Sequence, residues 1–386
     1  MEALTQSELP LDGILVIDFS QFLGGPAASL RLLDLGARVI KIEQPIIGDI
    51  SRKKLVLGNQ YFEEDSVCFH VINRGKESYA ANLKDERELA KVKELLSKAD
   101  VIIHNFRPGV MERFGLDYAT LSKTHPHLVY GWINGYGTAE KFRDRPGVDI
   151  LAQSMSAIGT ASGPKMNPNL VGVAITDISS STQLALGITS LLFQKARTGK
   201  GGYIQTSLIE AALDLQFDFL ANYIYRGDKE LPRSNSKASL HVYLSAPAGV
   251  YKTKNSFITI AMYPVDKLFT ILKLDPTPYL NPDSWWEERD EILDILTKIF
   301  RKKTTEQWLK ILDKEDVWCA PIYTHQDLME SGLLESLDYL HKIEENEIVT
   351  TRSPITINHK TLFNGKRAPH IGEQNNTIDE EFNLEK

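Results

Sequence analysis

Asp177 stands where a carboxylate could do covalent chemistry. It closes the apolar run Val171-Gly-Val-Ala-Ile-Thr and opens Ile178-Ser-Ser-Ser-Thr, directly ahead of a long apolar helix. Two readings follow from that position. As an N-cap, the side chain accepts backbone N–H bonds where the helix dipole favours its charge. As a nucleophile, it is a pre-organised, ionised carboxylate at a strand-to-helix junction, where open α/β sheets place their sites. Such a group can attack an acyl carbon and hold a covalent intermediate. Position alone favours the cap.

Other chemistry-bearing patterns are weaker. Gly24-Gly25-Pro26 follows an apolar run, and Glu43 comes 19 residues after Gly24, the place of a ribose-binding acid in a dinucleotide fold. The fingerprint G-x-G-x-x-G is missing, so these residues read as a helix start and a strand-end acid. Thr198-Gly199-Lys200 lacks the upstream glycine of a phosphate loop and reads as a helix C-terminal turn. Neither H-E-x-x-H nor G-x-S-x-G occurs, and the 9 histidines are scattered.

These residues need elements to hold them. Residues 14–19 form a short β-branched run, a buried strand. Pro26 suits a first helical turn, 27–35 carries Leu30, Leu32 and Leu33 at helical spacing, and Gly36 stands where a helix ends. A strand over 39–42 completes a βαβ unit, which implies a parallel sheet with right-handed crossovers. The alternation continues with a helix over 86–98, a strand over 101–103 and a short helix over 108–114 closed by Gly115. A strand over 128–133, a helix over 179–196 and a strand over 203–208 follow. The first two hundred residues therefore read as α/β, doubly wound. Beyond residue 225 the texture changes. Segment 228–240 is polar and linker-like, 249–252 and 257–261 read as strands, and 285–312 is helical, so this part is a smaller α+β domain.

Composition bounds the answer. At roughly 150 residues per domain, 386 residues imply two or three domains. Hydrophobic residues at 42% and charged ones at 25% match an ordinary globular enzyme and exclude disorder. The net charge of -7 argues against a nucleic-acid partner. The only two cysteines, Cys68 and Cys319, are far apart, which points to no zinc site, no disulfide framework and a reducing, cytoplasmic setting. The N-terminus carries acid where a signal peptide needs base, and no apolar run approaches the roughly 18 residues of a membrane span.

An ordered set of short motifs carries a resemblance. Leu11-Asp-Gly-Ile-Leu-Val-Ile-Asp-Phe-Ser is followed by Gly25-Pro-Ala, Leu35-Gly-Ala-Arg-Val-Ile-Lys-Ile-Glu, Gly48-Asp49, Asn73-Arg-Gly-Lys76 and Asn82-Leu-Lys84. Then come Ala99-Asp-Val-Ile-Ile-His-Asn-Phe-Arg-Pro-Gly109, Gly115-Leu-Asp, Pro146-Gly-Val-Asp149, Arg197-Thr-Gly-Lys-Gly201 and Pro369-His-Ile-Gly-Glu373. In this order the chain resembles the family III CoA-transferases, the group of formyl-CoA, carnitine and bile-acid CoA-transferases. The likeness spans nearly the whole chain.

The resemblance implies a transfer of CoA from an acyl-CoA donor to a small carboxylic acid, with coenzyme A as co-substrate and no metal. Asp177 stands in the place of the family's nucleophile and Asp149 in that of a nearby acid, although Asp149 also reads as a cap ahead of a helix over 150–157. The CoA contacts carried over are Leu23, Gly24, Gln44, Asn82, Leu83, Lys84, Asn105, Phe106, Arg107 and Arg113. Arg and Lys suit a diphosphate and a 3′-phosphate, and Phe106 suits adenine. By their residues alone, Arg113 reads as a helix-end cation and Lys84 as a solvated lysine. Backbone N–H groups near Gly135 or Gly137 are candidate oxyanion donors. The resemblance also implies an interlocked homodimer. Its large domain, a Rossmann-like sheet, takes residues 1–225 and 330–386, with the small domain inserted as 226–329.

Three departures narrow the substrate. No glycine-rich loop stands between Ser245 and Pro264, which argues against formate and oxalate, and Gln44 replaces a residue that is basic in some relatives. In 2-methylacyl-CoA racemases of the same fold a His precedes the aspartate that Asp149 matches, where this chain has Val148, which argues against that isomerase. A CoA-binding protein without catalysis is the remaining rival, and the presence of Asp177 speaks against it.

Overall fold

A computed structural model describes residues 8–53, 60–161, 168–227, 229–230 and 232–384. The acidic N-terminal stretch noted above lies outside them, apart from Glu8. Contacts divide the chain into two compact units. One takes in the described residues of 1–152, 173–215 and 334–386, and the other those of 153–172 and 216–333.

The first unit is built on a six-stranded parallel sheet. In chain order its elements are β1 (Leu15–Asp18), α1 (Gly24–Asp34), β2 (Arg38–Glu43), β3 (Glu77–Ala80), α2 (Glu86–Ser97) and β4 (Val101–His104). They continue with α3 (Val110–Phe114), β5 (Val129–Asn134), α4 (Asp149–Met155), α5 (Ile175–Thr198) and β6 (Gly202–Ser207). The strand order is β3-β2-β1-β4-β5-β6, so the direction of winding reverses between β1 and β4. Register follows the apolar runs: Ile17 pairs with Ile40 on one side and Ile102 on the other. Both faces of such a sheet are covered, which is why its strands are nearly continuously hydrophobic. Ile17, Ile40, Ile102 and Tyr130 pack with Val92, Leu95 and Leu96 of α2 on one face. On the other, Val16, Val39, Val101 and Ile133 pack with Leu32 of α1 and Leu184 and Ile188 of α5.

The second unit holds a three-stranded antiparallel sheet of β7 (Gly249–Lys252), β8 (Phe257–Ile260) and β9 (Cys319–Pro321), with β8 central. Helices Arg289–Phe300 and Thr305–Leu312 close its core around Tyr251, Ile258, Phe300 and Trp308.

Pro26 lies in the first turn of α1, as its type suggested, and the helix already begins at Gly24, because proline and glycine fit a turn whose N–H groups have no intrahelical partner. The helical stretch over 285–312 is made of three helices, Ser284–Glu287, Arg289–Phe300 and Thr305–Leu312, the last started by a Thr304 capping box. One expectation needs correcting. Residues 171–174 form no strand, and α5 begins at Ile175, four residues early.

Candidate active site

Because α5 begins early, Asp177 is neither a cap nor a strand-end residue. Ala174 occupies the N-cap position without a side-chain bond, and Asp177 lies within the first turn. The expected freely ionised carboxylate is corrected too: burial raises the Asp177 pKa to about 7, and the neighbouring Asp149 charge adds to the rise. Two helix N-termini favour the anion here, yet loss of water outweighs them. Asp149 is buried, and its Oδ1 accepts from the Thr176 N–H and hydroxyl, both at 2.7 Å. It thereby holds the turn that carries Asp177.

Gly24, the first residue of α1, lies against that carboxyl. A Cβ built there would stand 3.0 Å from Asp177 Oδ1 and 3.8 Å from Ile133 Cδ1. Leu23 at the N-cap of α1 offers no side-chain acceptor, so no side chain caps the first turn beside Asp177. The site thus sits at the C-terminal edge of the sheet, beside the β1–β4 switch point, where open parallel sheets leave a crevice.

The expected CoA-binding residues lie in the loops and adjoining helices at this same edge. Leu23 and Gly24 follow β1, and Gln44 follows β2 as an exposed residue whose carbonyl accepts from Gly48. Asn82 and Lys84 are exposed after β3, with Asn82 Oδ1 accepting from Lys84 N at 3.1 Å, while Leu83 packs against the core. Phe106 is half-buried after β4, its carbonyl receiving Trp132 Nε1 at 3.0 Å. Arg107 is exposed, as is Arg113, whose Nε donates to Gly109 O at 3.2 Å. Among the described residues, Lys84, Arg107 and Arg113 enter no salt bridge. Asn105 is different. Its Oδ1 accepts from Gln21 N at 2.9 Å and its Nδ2 donates to Gln21 O at 2.7 Å, bridging the switch point.

Gly137 was expected as an oxyanion donor, but its N–H donates to Asn134 Oδ1 at 2.5 Å, and Tyr136 N donates to the same oxygen at 3.0 Å. Asn134 Nδ2 is buried without a hydrogen-bond partner, a residue the motif reading missed. Glu43 is likewise unavailable to a ribose. Arg52 grips both its oxygens at 2.9 and 2.7 Å, and Ser78 Oγ and Asp49 N add bonds.

A buried charge network beneath the β1–α1 loop was also missed. Lys41 Nζ lies 2.7 Å from Asp49 Oδ2, and Lys76 Nζ lies 3.2 Å from Asp18 Oδ2, all four side chains fully buried. Burial lowers the Lys76 pKa to about 8 against the opposing pull of Asp18. The signal was available: Asp18 and Lys41 interrupt apolar strands buried on both faces, and buried charges must be paired.

Known proteins share this architecture and sequence. The sequence model of CoA-transferase family III matches residues 11–375. Succinyl-CoA:glutarate CoA-transferase of Mus musculus is 32% identical over 331 residues, covering 84% of this chain and 74% of that protein. Acetyl-CoA:oxalate CoA-transferase of Acetobacter aceti is 32% identical over 385 residues, covering 97% and 96%. The crystal structure of a CAIB/BAIF family protein from Brucella suis superposes with a TM-score of 0.84 at 28% identity, covering 97% of this chain and 99% of that one.

Proposed function

The chain belongs to CoA-transferase family III, and from that premise we propose that Asp177 is the nucleophile that passes coenzyme A from an acyl-CoA donor to a carboxylic acid acceptor. One arrangement supports this: the half-buried Asp177 carboxyl faces the bare Gly24 end of α1 at the switch-point edge. The carboxylate attacks the carbonyl of a bound acyl-CoA, the C–S bond breaks, and CoA thiolate leaves a mixed anhydride on Asp177. The thiolate then attacks the aspartyl carbonyl, expelling the donor's carboxylate and forming an aspartyl-CoA thioester. The acceptor carboxylate attacks that thioester to give a second anhydride, releasing thiolate again. Thiolate finally takes the acceptor's acyl carbon, and Asp177 is regenerated as a carboxylate. Each step exchanges one acyl bond for another, so the thioester free energy is conserved.

The site's electrostatics serve this sequence. Acylation converts a buried carboxylate beside Asp149 into a neutral group, relieving both desolvation and repulsion. The first turn of α1 offers N–H groups to the tetrahedral oxyanions. Leu23, Gly24, Gln44, Asn82, Leu83, Lys84, Phe106, Arg107 and Arg113 line the path of CoA, with the three cations taking its phosphates. Because a relative above is named for glutarate, the acceptor proposed here is a small dicarboxylic acid. The active form is an interlocked homodimer, a reading supported by the exposed Leu186 and Phe193 seven residues apart on one face of α5. No helix among the described residues is long and apolar enough to cross a membrane.

The test is direct. Incubation with a panel of acyl-CoAs should leave a hydroxylamine-sensitive adduct on Asp177 by intact-mass analysis. CoA transfer that persists in Asp177→Ala would refute the assignment.

A further inference from the structure

Three successive residues between β1 and α1 are held through their backbone by side chains from other segments. Ser20 N donates to Asp18 Oδ1 at 2.8 Å, and Ser20 O accepts from Lys41 Nζ at 2.6 Å. Gln21 bonds in both directions to Asn105. Phe22 N donates to Asp49 Oδ1 at 3.0 Å, and Phe22 sits at φ +69°, a conformation a bulky residue keeps only under constraint. Lys76 extends the grip into α1, donating to Pro26 O at 3.0 Å. The loop is also pressed onto the helix, since a Cβ at Gly25 would fall 2.2 Å from Ser20 Cβ.

The Lys41–Asp49 pair is a poor choice for stability alone. Removing two charges from water is costly, and apolar residues of similar volume commonly do as well or better. Position 41 lies in a strand whose neighbours Ile40 and Ile42 show what a sheet interior ordinarily holds. What apolar side chains cannot do is bond Ser20 O and Phe22 N, two backbone groups that the loop leaves without ladder partners.

We propose that Lys41, Asp49 and Asn105 are positioning residues: they fix the backbone of Ser20, Gln21 and Phe22, and so hold the Gly24 end of α1 against Asp177. The space in which the acyl thioester meets the nucleophile is then set by side chains that touch neither. This rests on the reading of Asp177 as nucleophile. A displacement of about 1 Å at a reacting centre lowers rate by about 100-fold, which is the scale at stake.

The experiment compares the wild type with Lys41→Met/Asp49→Leu, which keeps the buried volume and removes the pair, and with Asn105→Ala, which releases Gln21 alone. Three readouts are taken: thermal melting, infrared titration of the carboxyl band that disappears in Asp177→Asn, in CoA-free protein, and steady-state transfer from succinyl-CoA to glutarate. The double variant should stay folded and melt cooperatively, since the lost bonds are offset by the charges no longer held out of water. Its Asp177 midpoint should fall from about 7 as water reaches the loosened turn. Its kcat should drop at least ~10-fold with a smaller change in KM. If that variant does not fold, Asn105→Ala decides, with the same fall in midpoint and kcat expected. A folded variant with an unchanged midpoint and kcat within about twofold overturns the proposal. Wild-type protein that transfers no CoA would instead overturn the functional reading, while the infrared midpoints still decide the clamp.

Discussion

Replacing Asp177 by Asn should stabilise the protein, and by an amount that grows with pH. The carboxyl has an ordinary value of 3.8 and is raised in the fold to about 7, first by burial and then by Asp149. A raised carboxyl titrates more readily in the unfolded chain, so the folded state loses stability as pH climbs from about 4 to about 7 and then holds level. Below both values the two states are protonated alike and no penalty exists. At about 1.4 kcal/mol per pH unit, the penalty is about 1.7 kcal/mol at pH ~5 and about 4 kcal/mol at pH ~8. The neutral amide has the same shape and escapes it. Taking about 2 °C per kcal/mol for a unit of this size, the melting advantage of Asp177→Asn should widen by about 5 °C between those pH values. Differential scanning calorimetry on both proteins measures it, and every other titrating group cancels in the comparison. An advantage that stays constant or shrinks with rising pH would show that desolvation does not govern this carboxyl. Trapped acyl-enzyme should show the same trend, because acylation also removes the charge.

Gly24→Ala should leave melting unchanged or raised, since alanine gains roughly 0.5–1 kcal/mol over glycine in a helix. Its Cβ would press within 3.0 Å of Asp177 Oδ1, so kcat/KM should fall at least ~10-fold, and an unimpaired enzyme would contradict the geometry. Asp149→Asn keeps an acceptor for Thr176 but removes the repelling charge. The acid limb of the kcat/KM profile should move to lower pH, yet stop short of the ordinary carboxylate range because burial is the larger cause. Single alanine variants of the exposed Lys84, Arg107 and Arg113 should raise KM for acyl-CoA by about 2–5-fold with kcat held, and the effect should fade in salt. A KM insensitive to all three would place the phosphates elsewhere.

Much of the scaffold was legible. The runs that became β1, β2, β4, β5 and β6 carry the β-branched, two-face-buried signature of a parallel sheet, and the strand–helix–strand alternation implied its winding. Gly36, Gly115 and Gly199 marked helix ends because only glycine takes a left-handed backbone without strain. The start of α5 was misread because Ala174 and Ile175 carry no capping signal, so nothing local distinguished a helix turn from the end of a strand. Gly137 was misassigned for a related reason: its N–H is claimed by Asn134, three residues upstream, through a side-chain contact that no motif encodes.

The residues themselves, read alone, determined a doubly wound α/β frame and an acid at position 177, and the ordered motifs determined the family. The local period of hydrophobicity and the φ demands of glycine and proline are properties of short segments, and they survive without the fold. The protonation of Asp177, its approach to Gly24 and the pair of hydrogen bonds between Asn105 and Gln21 were decided only by tertiary structure. The Gly24–Asp177 and Gln21–Asn105 contacts join residues at least 84 positions apart. Desolvation and through-space contact exist only once the sheet has brought those segments to one edge.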